Sequence, residues 1–433
     1  MTLRIDPACD SIRRSVPDEL LGRIVRLVGA RALQTFGRQI IATTVGWELY
    51  RRTGTELAIA AVGVVQVLPV IALFVPAGAL VDTVDRRLLA TVTALLTGAV
   101  GLGLAVVSAI AAPWWVYLVL LLLQGGVNAI HAPASTTLIP LVLPREELTR
   151  ANRIGSSLQE LAAILGPFLA GVAISVVDYA WNYAFVAVSG AAAGILFRSL
   201  PKPRFVEAPS AQARKDWRVG LRYIFRSPLL LPALTLDMFA VLFAGVTALL
   251  PVIATDILHA DALGYGVLAA SQSVGAVMMA IIAGRLPAWK RPGRLLLIVV
   301  ALFGLATIGV GLSRSLPLTV GLLVACGALD NISVVIRLTL EQLVVPDEIR
   351  GRVSSVHYVF IGMSNQLGQA ESGAAAWLVG PVAAIVGGGV LSIFVVAVVA
   401  LKWRALAAMP PLAHLTPEHG QPAAQPQPQP RAA

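Results

Sequence analysis

Long apolar stretches separated by short polar ones recur along the whole chain. A stretch of about 20 apolar residues can cross the hydrocarbon core of a bilayer as an α-helix. The pattern lacks the period-2 alternation of membrane β-barrel strands. It therefore predicts an all-α integral membrane protein with twelve transmembrane helices in two six-helix halves. The predicted spans are 28–50, 57–81, 88–110, 114–140, 150–177, 182–200, 229–254, 264–284, 294–313, 317–341, 353–378 and 381–402.

The composition agrees with this class. Of the 433 residues, 57% are hydrophobic and only 13% are charged, and the mean hydropathy is +0.80. A soluble domain needs more charge to cover its surface. Cys9 and Cys326 are expected in a cytoplasmic segment and inside a span, so neither a disulfide nor a metal site is expected. The first 27 residues carry arginines without an apolar core, so no cleavable signal peptide is expected.

The net charge of +10 predicts an orientation. If the N-terminus is cytoplasmic, 28 of the 33 Lys and Arg residues lie on the cytoplasmic side and three (Arg51, Arg52 and Arg314) lie outside. Because basic residues favour the cytoplasmic side, both termini are predicted to be cytoplasmic, in the cell (inner or plasma) membrane. The positive charge is thus explained by topology, and no nucleic-acid partner is expected.

Five segments follow from this pattern. They are a cytoplasmic N-terminal segment (1–27), an N-terminal six-helix half (28–200), a cytoplasmic linker with an amphipathic helix (201–228), a C-terminal six-helix half (229–403) and a disordered cytoplasmic tail (404–433). Leu20–Ala32 is also amphipathic, which fits either a helix on the inner leaflet or an extension of the first span. The tail is rich in Pro, Gln and Ala, a composition typical of disorder.

The two halves repeat each other. Leu165-Gly166 and Gly171 recur 202 residues later as Leu367-Gly368 and Gly373, and Asn128 maps onto Asp330 at the same offset. An offset of about 200 residues spanning six helices predicts a parallel duplication, as in transporters built of two halves.

The link between the second and third spans reads G-A-L-V-D-T-V-D-R-R-L-L over Gly78–Leu89. It resembles the loop 2–3 motif of the major facilitator superfamily, G-x-x-x-D-[RK]-x-G-R-[RK]. Thr83 and Asp85 depart from that motif. The matching residues, which form the predicted gating motif, are Gly78, Asp82, Arg86 and Arg87. The resemblance implies that Asp82 faces the N-terminus of the eleventh span when the inner side is closed.

Two further stretches resemble the drug–proton antiporters of that superfamily. Gln124-Gly125 matches part of R-x-x-Q-G on the fourth span, but Leu121 stands at the Arg position, so coupling through that Arg is in doubt. Gly166, Pro167 and Gly171 resemble the fifth-span pattern G-P-x-x-G-G. Small residues allow close helix contact and Pro bends a helix, so helix packing explains this pattern nearly as well.

The C-terminal half carries the most specific resemblance. P-D-E-I-R-G-R-V at Pro346–Val353, followed by F-I-G-M-S-N-Q-L-G and E-S-G, resembles the enterobactin-exporter-like branch of the superfamily, and so does G-W-E-L-Y at Gly46–Tyr50. This chain lacks two of the acids usual in that motif and retains Glu371. The resemblance covers about residues 28–403.

Several charged and polar residues fall inside predicted spans, where such groups are costly and mark functional sites. Arg38 needs an acid from another helix or an anionic substrate as its partner. Arg337 and Glu341 have the i,i+4 spacing of a pair, whereas Glu48, Arg51 and Arg52 are expected to be surface anchors. The candidates for the substrate and proton pathway are Arg38, Asn128, His131, Glu160, Asp237, Asp330, Arg337 and Glu371.

A carboxylate in a low-dielectric interior can bind and release protons near neutral pH. Asp237 and Asp330 are the first candidates for coupling, and an ion pair with Arg38 or Arg337 is the structural alternative for either. The resemblance implies a cavity lined by spans 1, 4, 7 and 10 and alternating access of the two halves.

The predicted function is secondary active transport, namely proton-coupled export of a small organic molecule such as a siderophore or a drug-like amphiphile. An uptake permease or uniporter of the same fold and a transport-inactive membrane scaffold are the alternatives. An enzyme is not expected because the five histidines form no H-E-x-x-H motif, and none of the four lysines lies in an ATP-binding P-loop. No cofactor is expected. The expected partners are the substrate, protons and lipid, with the chain as a monomer.

Overall fold

The computed structural model describes residues 18–202, 217–285 and 289–420. Over these residues the protein is helical and contains no strand. The first half is formed by α1 (Asp18–Thr53), α2 (Glu56–Thr83), α3 (Arg86–Ala109), α4 (Trp114–Val142), α5 (Arg145–Val176) and α6 (Tyr179–Arg198). Since α1 is unbroken, the amphipathic stretch 20–32 is an extension of the first span.

A short helix, α7 (Trp217–Arg226), precedes the second half. The second half consists of α8 (Leu230–Phe243), α9 (Ala262–Ala283), α10 (Pro292–Leu312), α11 (Leu316–Val344), α12 (Asp347–Val379) and α13 (Pro381–Lys402). After Phe243 the seventh span continues irregularly through a 3-10 turn at Val246–Leu249 and a π turn at Ile253–Ile257.

Ten helical segments in the described residues are long and apolar enough to cross a membrane. The two predicted spans that do not meet this criterion are those in α1 and α12, with 36 and 33 residues. Both helices are long enough to cross a membrane, but charged and polar residues lower their hydropathy. In α1 these residues include Arg31, Arg38 and Glu48. Both pack within the bundle all the same, α1 against α5 and α6 and α12 against α2.

Polar caps set several helix ends. The side chains of Thr55, Asp85 and Asp261 accept hydrogen bonds from the first-turn N–H groups of α2, α3 and α9, respectively. These donors have no partner inside the helix, so each cap stabilises the start of a span. Gly380 joins α12 to α13 with a φ of +85°, a conformation that glycine adopts without steric cost.

The predicted duplication is visible in the packing. Each main contact of the first half has a counterpart in the second: α3–α6 and α10–α13, α2–α4 and α9–α11, and α1–α5 and α8–α12. The halves meet along two helix pairs, α2–α12 and α5–α9. The repeat relates these pairs to each other, because α2 corresponds to α9 and α12 corresponds to α5. Glycines permit this approach: a Cβ on Gly63 would lie 2.5 Å from the backbone N of Ala370, and one on Gly171 would lie 2.6 Å from the Cα of Gly266.

The connection between the halves contains a short helix with a buried side and a basic side. Ile224 of α7 is buried, and the Tyr223 hydroxyl donates to the Val344 carbonyl at 2.7 Å. On the other face, Arg218, Arg222 and Arg226 are exposed.

The tail departs from the prediction of disorder from residue 404 onward. Residues Arg404–Ala407 form a helical turn and two 3-10 turns follow it. Leu406, Met409 and Leu415 are buried in a cluster with α10 and α11. Apolar side chains spaced among the prolines therefore hold 404–420 against the second half, while 421–433 lie outside the described residues.

Candidate functional site: charges of the interior and the contact between the halves

Two charged side chains at mid-helix positions, Arg38 of α1 and Asp330 of α11, are exposed. Helices that face lipid in this bundle expose large apolar residues, such as Leu95 and Leu102 of α3. In contrast, no large apolar side chain is exposed between Val25 and Leu57, or between Leu318 and Leu367, in the described residues. Both charges therefore face space inside the bundle, one from each half.

Neither charge is paired within the described part of the chain. On α1, Arg31 lies seven residues before Arg38 and faces the same side, and it too lacks an ion-pair partner there. Asp330 lines a small cavity with Asp237, Phe303 and other residues of α8, α10 and α11. Arg31 and Arg38 of the N-terminal half thus present positive charge to the interior, and Asp330 of the C-terminal half presents negative charge.

His131 is placed differently from the expectation that it lines the cavity. It is 8% exposed, its Nδ1 lies 2.8 Å from the Thr93 hydroxyl, and its ring meets Phe197 edge-on with centroids 5.8 Å apart. It therefore joins α4 to α3 and α6. Asn128, one turn earlier, accepts a hydrogen bond from the amide of Gln124 at 3.0 Å.

The other charges of the C-terminal half are paired. Arg337 forms a buried ion pair with Asp237 of α8, and its Nε donates to the Ser333 carbonyl at 3.2 Å. Glu341 instead contacts Ser354 and His357 of α12. The predicted i,i+4 pair of Arg337 and Glu341 is therefore wrong, because tertiary partners take both side chains.

Two glutamates remain from the predicted pathway. Glu160 is exposed on α5 and shares a helix face with Pro167 and Gly171, seven and eleven residues later. At Gly171 that face contacts α9. Glu371 is partly buried on α12, and the hydroxyl of the adjacent Ser372 lies 3.5 Å from its carboxylate.

The fifth-span glycines are packing positions. A Cβ on Gly166 would lie 2.7 Å from the Cβ of Gln39 in α1. Gly171 and the Pro167 carbonyl lie against Gly266 of α9. These residues therefore set how closely α5 approaches α1 and the other half.

The gating motif is built around the start of α3. Asp85 accepts from the Arg87 N–H at 2.8 Å, and the buried Arg87 guanidinium donates to the Leu200 carbonyl at 2.5 Å. Arg86 donates to the Val81 carbonyl at 3.3 Å. The Asp82 side chain lies outside the described residues. Arg87 thus ties the start of α3 to the end of α6.

The halves touch at one end of the molecule, which we call the Tyr50 end because α1 finishes there. The Tyr50 hydroxyl donates to Asp256 at 2.5 Å, and Trp47 stacks on Tyr265 with ring centroids 4.9 Å apart. The Tyr265 hydroxyl also donates to the Thr43 carbonyl at 3.0 Å. Each of these contacts joins α1 to the C-terminal half.

The opposite end of the molecule, which we call the Gly78 end, carries a glycine on α2 and another on α12. A Cβ added to Gly78 of α2 or to Gly351 of α12 would meet nothing within 4 Å. The backbone contact of α2 with α12 near Gly63 therefore lies on the Tyr50 side, and neither glycine at the Gly78 end has a described neighbour on the other helix.

Sequence reasoning missed the most heavily bonded carboxylate of the described residues. Glu48, expected to be a surface anchor, is fully buried. It accepts from Ser108 at 2.6 Å, Tyr117 at 2.8 Å and Tyr183 at 2.7 Å, and it pairs with Arg52 at 2.6 Å. Its hydroxyl partners lie on α3, α4 and α6, so no local pattern could have revealed them.

No group of three or more His, Cys, Asp or Glu residues suited to a metal ion occurs in the described ranges. The candidate site is the charged interior around Arg38 and Asp330, between two halves that are in contact at the Tyr50 end.

Known proteins give the family of this chain. The family model of the Major Facilitator Superfamily matches residues 27–370. Enterobactin exporter EntS of Citrobacter koseri is 29% identical over 259 residues, which cover 60% of this chain and 61% of that protein. Macrolide efflux protein A of Streptococcus pyogenes is 24% identical over 351 residues, covering 78% and 85%. The match to the enterobactin exporter thus spans less than two thirds of its length.

Solved structures share the fold. An inward-facing, unoccupied bacterial homolog of the human lysosomal transporter Spinster has a TM-score of 0.67 at 16% identity, covering 91% of this chain and 98% of that one. A D-xylose–proton symporter has a TM-score of 0.68 at 13% identity, covering 92% and 99%. The structures share the fold alone; the family model over residues 27–370 shows that the chain belongs to the Major Facilitator Superfamily, a family of multi-pass membrane transporters.

Proposed function

We propose that this transporter exports a small organic molecule by alternating access and that protons moving inward drive the export. The observation that carries the proposal is the pair of interior charges, Arg38 and Asp330, that are unpaired in the described residues and lie between halves in contact at the Tyr50 end. Interior charges are costly, and in membrane proteins they mark ligand and ion paths. The efflux role of both relatives supports the outward direction.

The orientation belongs to this proposal. With the positive-inside distribution, the Gly78 end and both termini are cytoplasmic, and the structure is inward-open. Single cysteines replacing Ala111 and Ser199 in a cysteine-free background test this. Ala111 in the α3–α4 loop should react with an impermeant maleimide on intact cells, and Ser199 at the end of α6 should not. The reverse result would overturn the orientation.

Asp330 is the proposed coupling carboxylate. Asp237 is held by Arg337, whereas Asp330 is exposed to the interior and unpaired in the described residues. An acid without a fixed counter-charge can exchange a proton without breaking an ion pair. Glu160, exposed on α5 with no described partner, and Glu371 are the next candidates.

Reconstituted transport tests the function. Proteoliposomes with an acidic interior should accumulate an added dye, either the anion carboxyfluorescein or the cation ethidium. Asp330→Asn should abolish accumulation driven by the pH gradient and leave dye exchange at equal pH. Glu146→Gln, an exposed acid at the start of α5, is the control. Full pH-driven accumulation in Asp330→Asn would refute the role of Asp330, and pH-independent movement would favour a uniporter. No movement of either dye beyond empty liposomes would favour a transport-inactive scaffold.

The loop motif is the proposed gate of the Gly78 end. When that end closes, Asp82 would reach the N-terminus of α12, where the helix dipole favours an anion by about 0.3–1 kcal/mol. Asp82→Asn should therefore raise the inward-open population. Unchanged labelling of cavity cysteines in that variant would contradict this role.

A further inference from the structure

The face of α1 that carries Arg31 and Arg38 is a local excess of positive charge inside the bundle. The two residues are seven apart, which is about two helical turns or 10 Å along the axis. They therefore project to one side of the helix, with Thr35 between them and Ala42 one turn beyond. Small side chains at these two positions leave room beside the guanidinium groups.

No acid of the described residues forms an ion pair with either arginine. Because Arg31 and Arg38 lie on one face of α1, each is near the like charge of the other. His131, whose Nδ1 contacts the Thr93 hydroxyl, supplies no negative charge. Two like charges in an interior are unfavourable unless an anion joins them.

Guanidinium chemistry indicates what that anion is. Its planar fork of N–H donors matches carboxylate, sulfonate and phosphate oxygens two at a time. The acids that face the interior elsewhere, Asp330 on α11 and Glu160 on α5, form no ion pair with these arginines in the described residues. The α1 face is thus free to bind an external oxyanion.

We propose that Arg31 and Arg38 form the binding site for an oxyanion group of the transported molecule, so that the substrates are organic acids. This inference rests on the proposed function, because the interior must be the transport path. It predicts that a neutral analogue of the same shape binds poorly, since it leaves the two arginines without a counter-charge.

Binding to the purified full-length protein tests the site without any transport step. The probes are 2-naphthoate and its neutral isostere 2-naphthamide, with sodium sulfate against sodium chloride at matched ionic strength as a second pair. The readout is the shift in melting temperature with probe concentration, from which an apparent affinity follows. Naphthoate and sulfate should stabilise the protein, and naphthamide and chloride should not.

The variants locate the effect. Arg38→Gln should weaken naphthoate binding at least about tenfold, a loss of about 1.4 kcal/mol, and Arg31→Gln should weaken it less or equally. Arg38→Lys should restore part of the affinity, because it keeps the positive charge but lacks the planar set of N–H donors of a guanidinium group. Arg198→Gln, an exposed arginine at the end of α6, should bind like the wild type.

Three results would overturn the proposal: equal stabilisation by naphthoate and naphthamide, no stabilisation by either oxyanion, or an unchanged naphthoate affinity in Arg38→Gln. These outcomes are separate from the proposed export. A protein that binds naphthoate through Arg38 yet moves no dye would support the oxyanion site and refute export. A protein that shows pH-driven ethidium transport without oxyanion binding would support export and refute the oxyanion site.

Discussion

The N-terminal and C-terminal halves share one arrangement of helices but treat their interior charges differently. The first half satisfies Glu48, which has three hydroxyl donors and Arg52 around it. It leaves two bases, Arg31 and Arg38, without described partners. The second half pairs its base, Arg337 with Asp237, and leaves the acid Asp330 unpaired.

The difference separates structural charges from charges available to a ligand. A buried charge with several partners stabilises the half that contains it, because every lone pair and proton is satisfied. An exposed interior charge without a partner contributes little to packing. Arg31 and Arg38 of one half and Asp330 of the other thus present opposite charges, unpaired in the described residues, to the shared interior.

Glu48→Ala should have the largest effect. It removes the acceptor of Ser108, Tyr117 and Tyr183 and leaves Arg52 without its acid, at a cost of about 3–5 kcal/mol. The measurement is the melting temperature and the monodisperse yield in detergent. Glu146→Ala, an exposed acid, should match the wild type. A wild-type melting temperature in Glu48→Ala would mean that this carboxylate is not structural.

Breaking the Asp237–Arg337 pair should cost slightly less. Asp237→Ala and Arg337→Ala each leave a buried charge, with an expected loss of up to about 3–5 kcal/mol that solvent in the adjoining cavity reduces. The loss of stability in the double variant should be smaller than the sum of the losses in the two single variants. Additive losses would show that the two side chains do not interact.

Tyr50→Phe should act on the contact between the halves. It removes the hydrogen bond to Asp256, worth about 0.5–1.5 kcal/mol, and so should raise the outward-open population up to about tenfold. Accessibility of a cysteine at Ala42 to an impermeant reagent from outside measures the shift. Tyr223→Phe removes a hydroxyl bond within one half and should leave accessibility unchanged. Equal labelling in all three proteins would show that Tyr50 does not hold that end closed.

Arg38→Gln and Asp330→Asn should have the smallest effect on stability. Because neither side chain has a described partner, each change should alter the free energy of unfolding by less than about 0.5 kcal/mol or stabilise slightly. Thermal melts of the ligand-free protein measure this. A loss as large as that of Asp237→Ala would mean that these charges are structural after all.

Sequence alone determined the class, the spans and the duplication, because each follows from patterns repeated along the chain. Apolar stretches long enough to cross a bilayer admit few other structures. The 202-residue offset placed Asn128 and Asp330 at equivalent positions, and the loop and helix-12 motifs indicated the superfamily.

Only the tertiary structure decided which charges are paired. Arg337 has Glu341 at ideal helical spacing, yet it pairs with Asp237, a hundred residues earlier in the chain. Glu48 resembled a surface anchor beside Arg51 and Arg52, yet its hydroxyl partners are 60, 69 and 135 residues away. Helical periodicity tells which residues share a face of one helix, whereas the partner on another helix depends on how the helices pack. For this reason the sequence could name Arg38 and Asp330 as interior charges but not Arg31 or Glu48, and only the fold could show that Arg31, Arg38 and Asp330 remain without described partners.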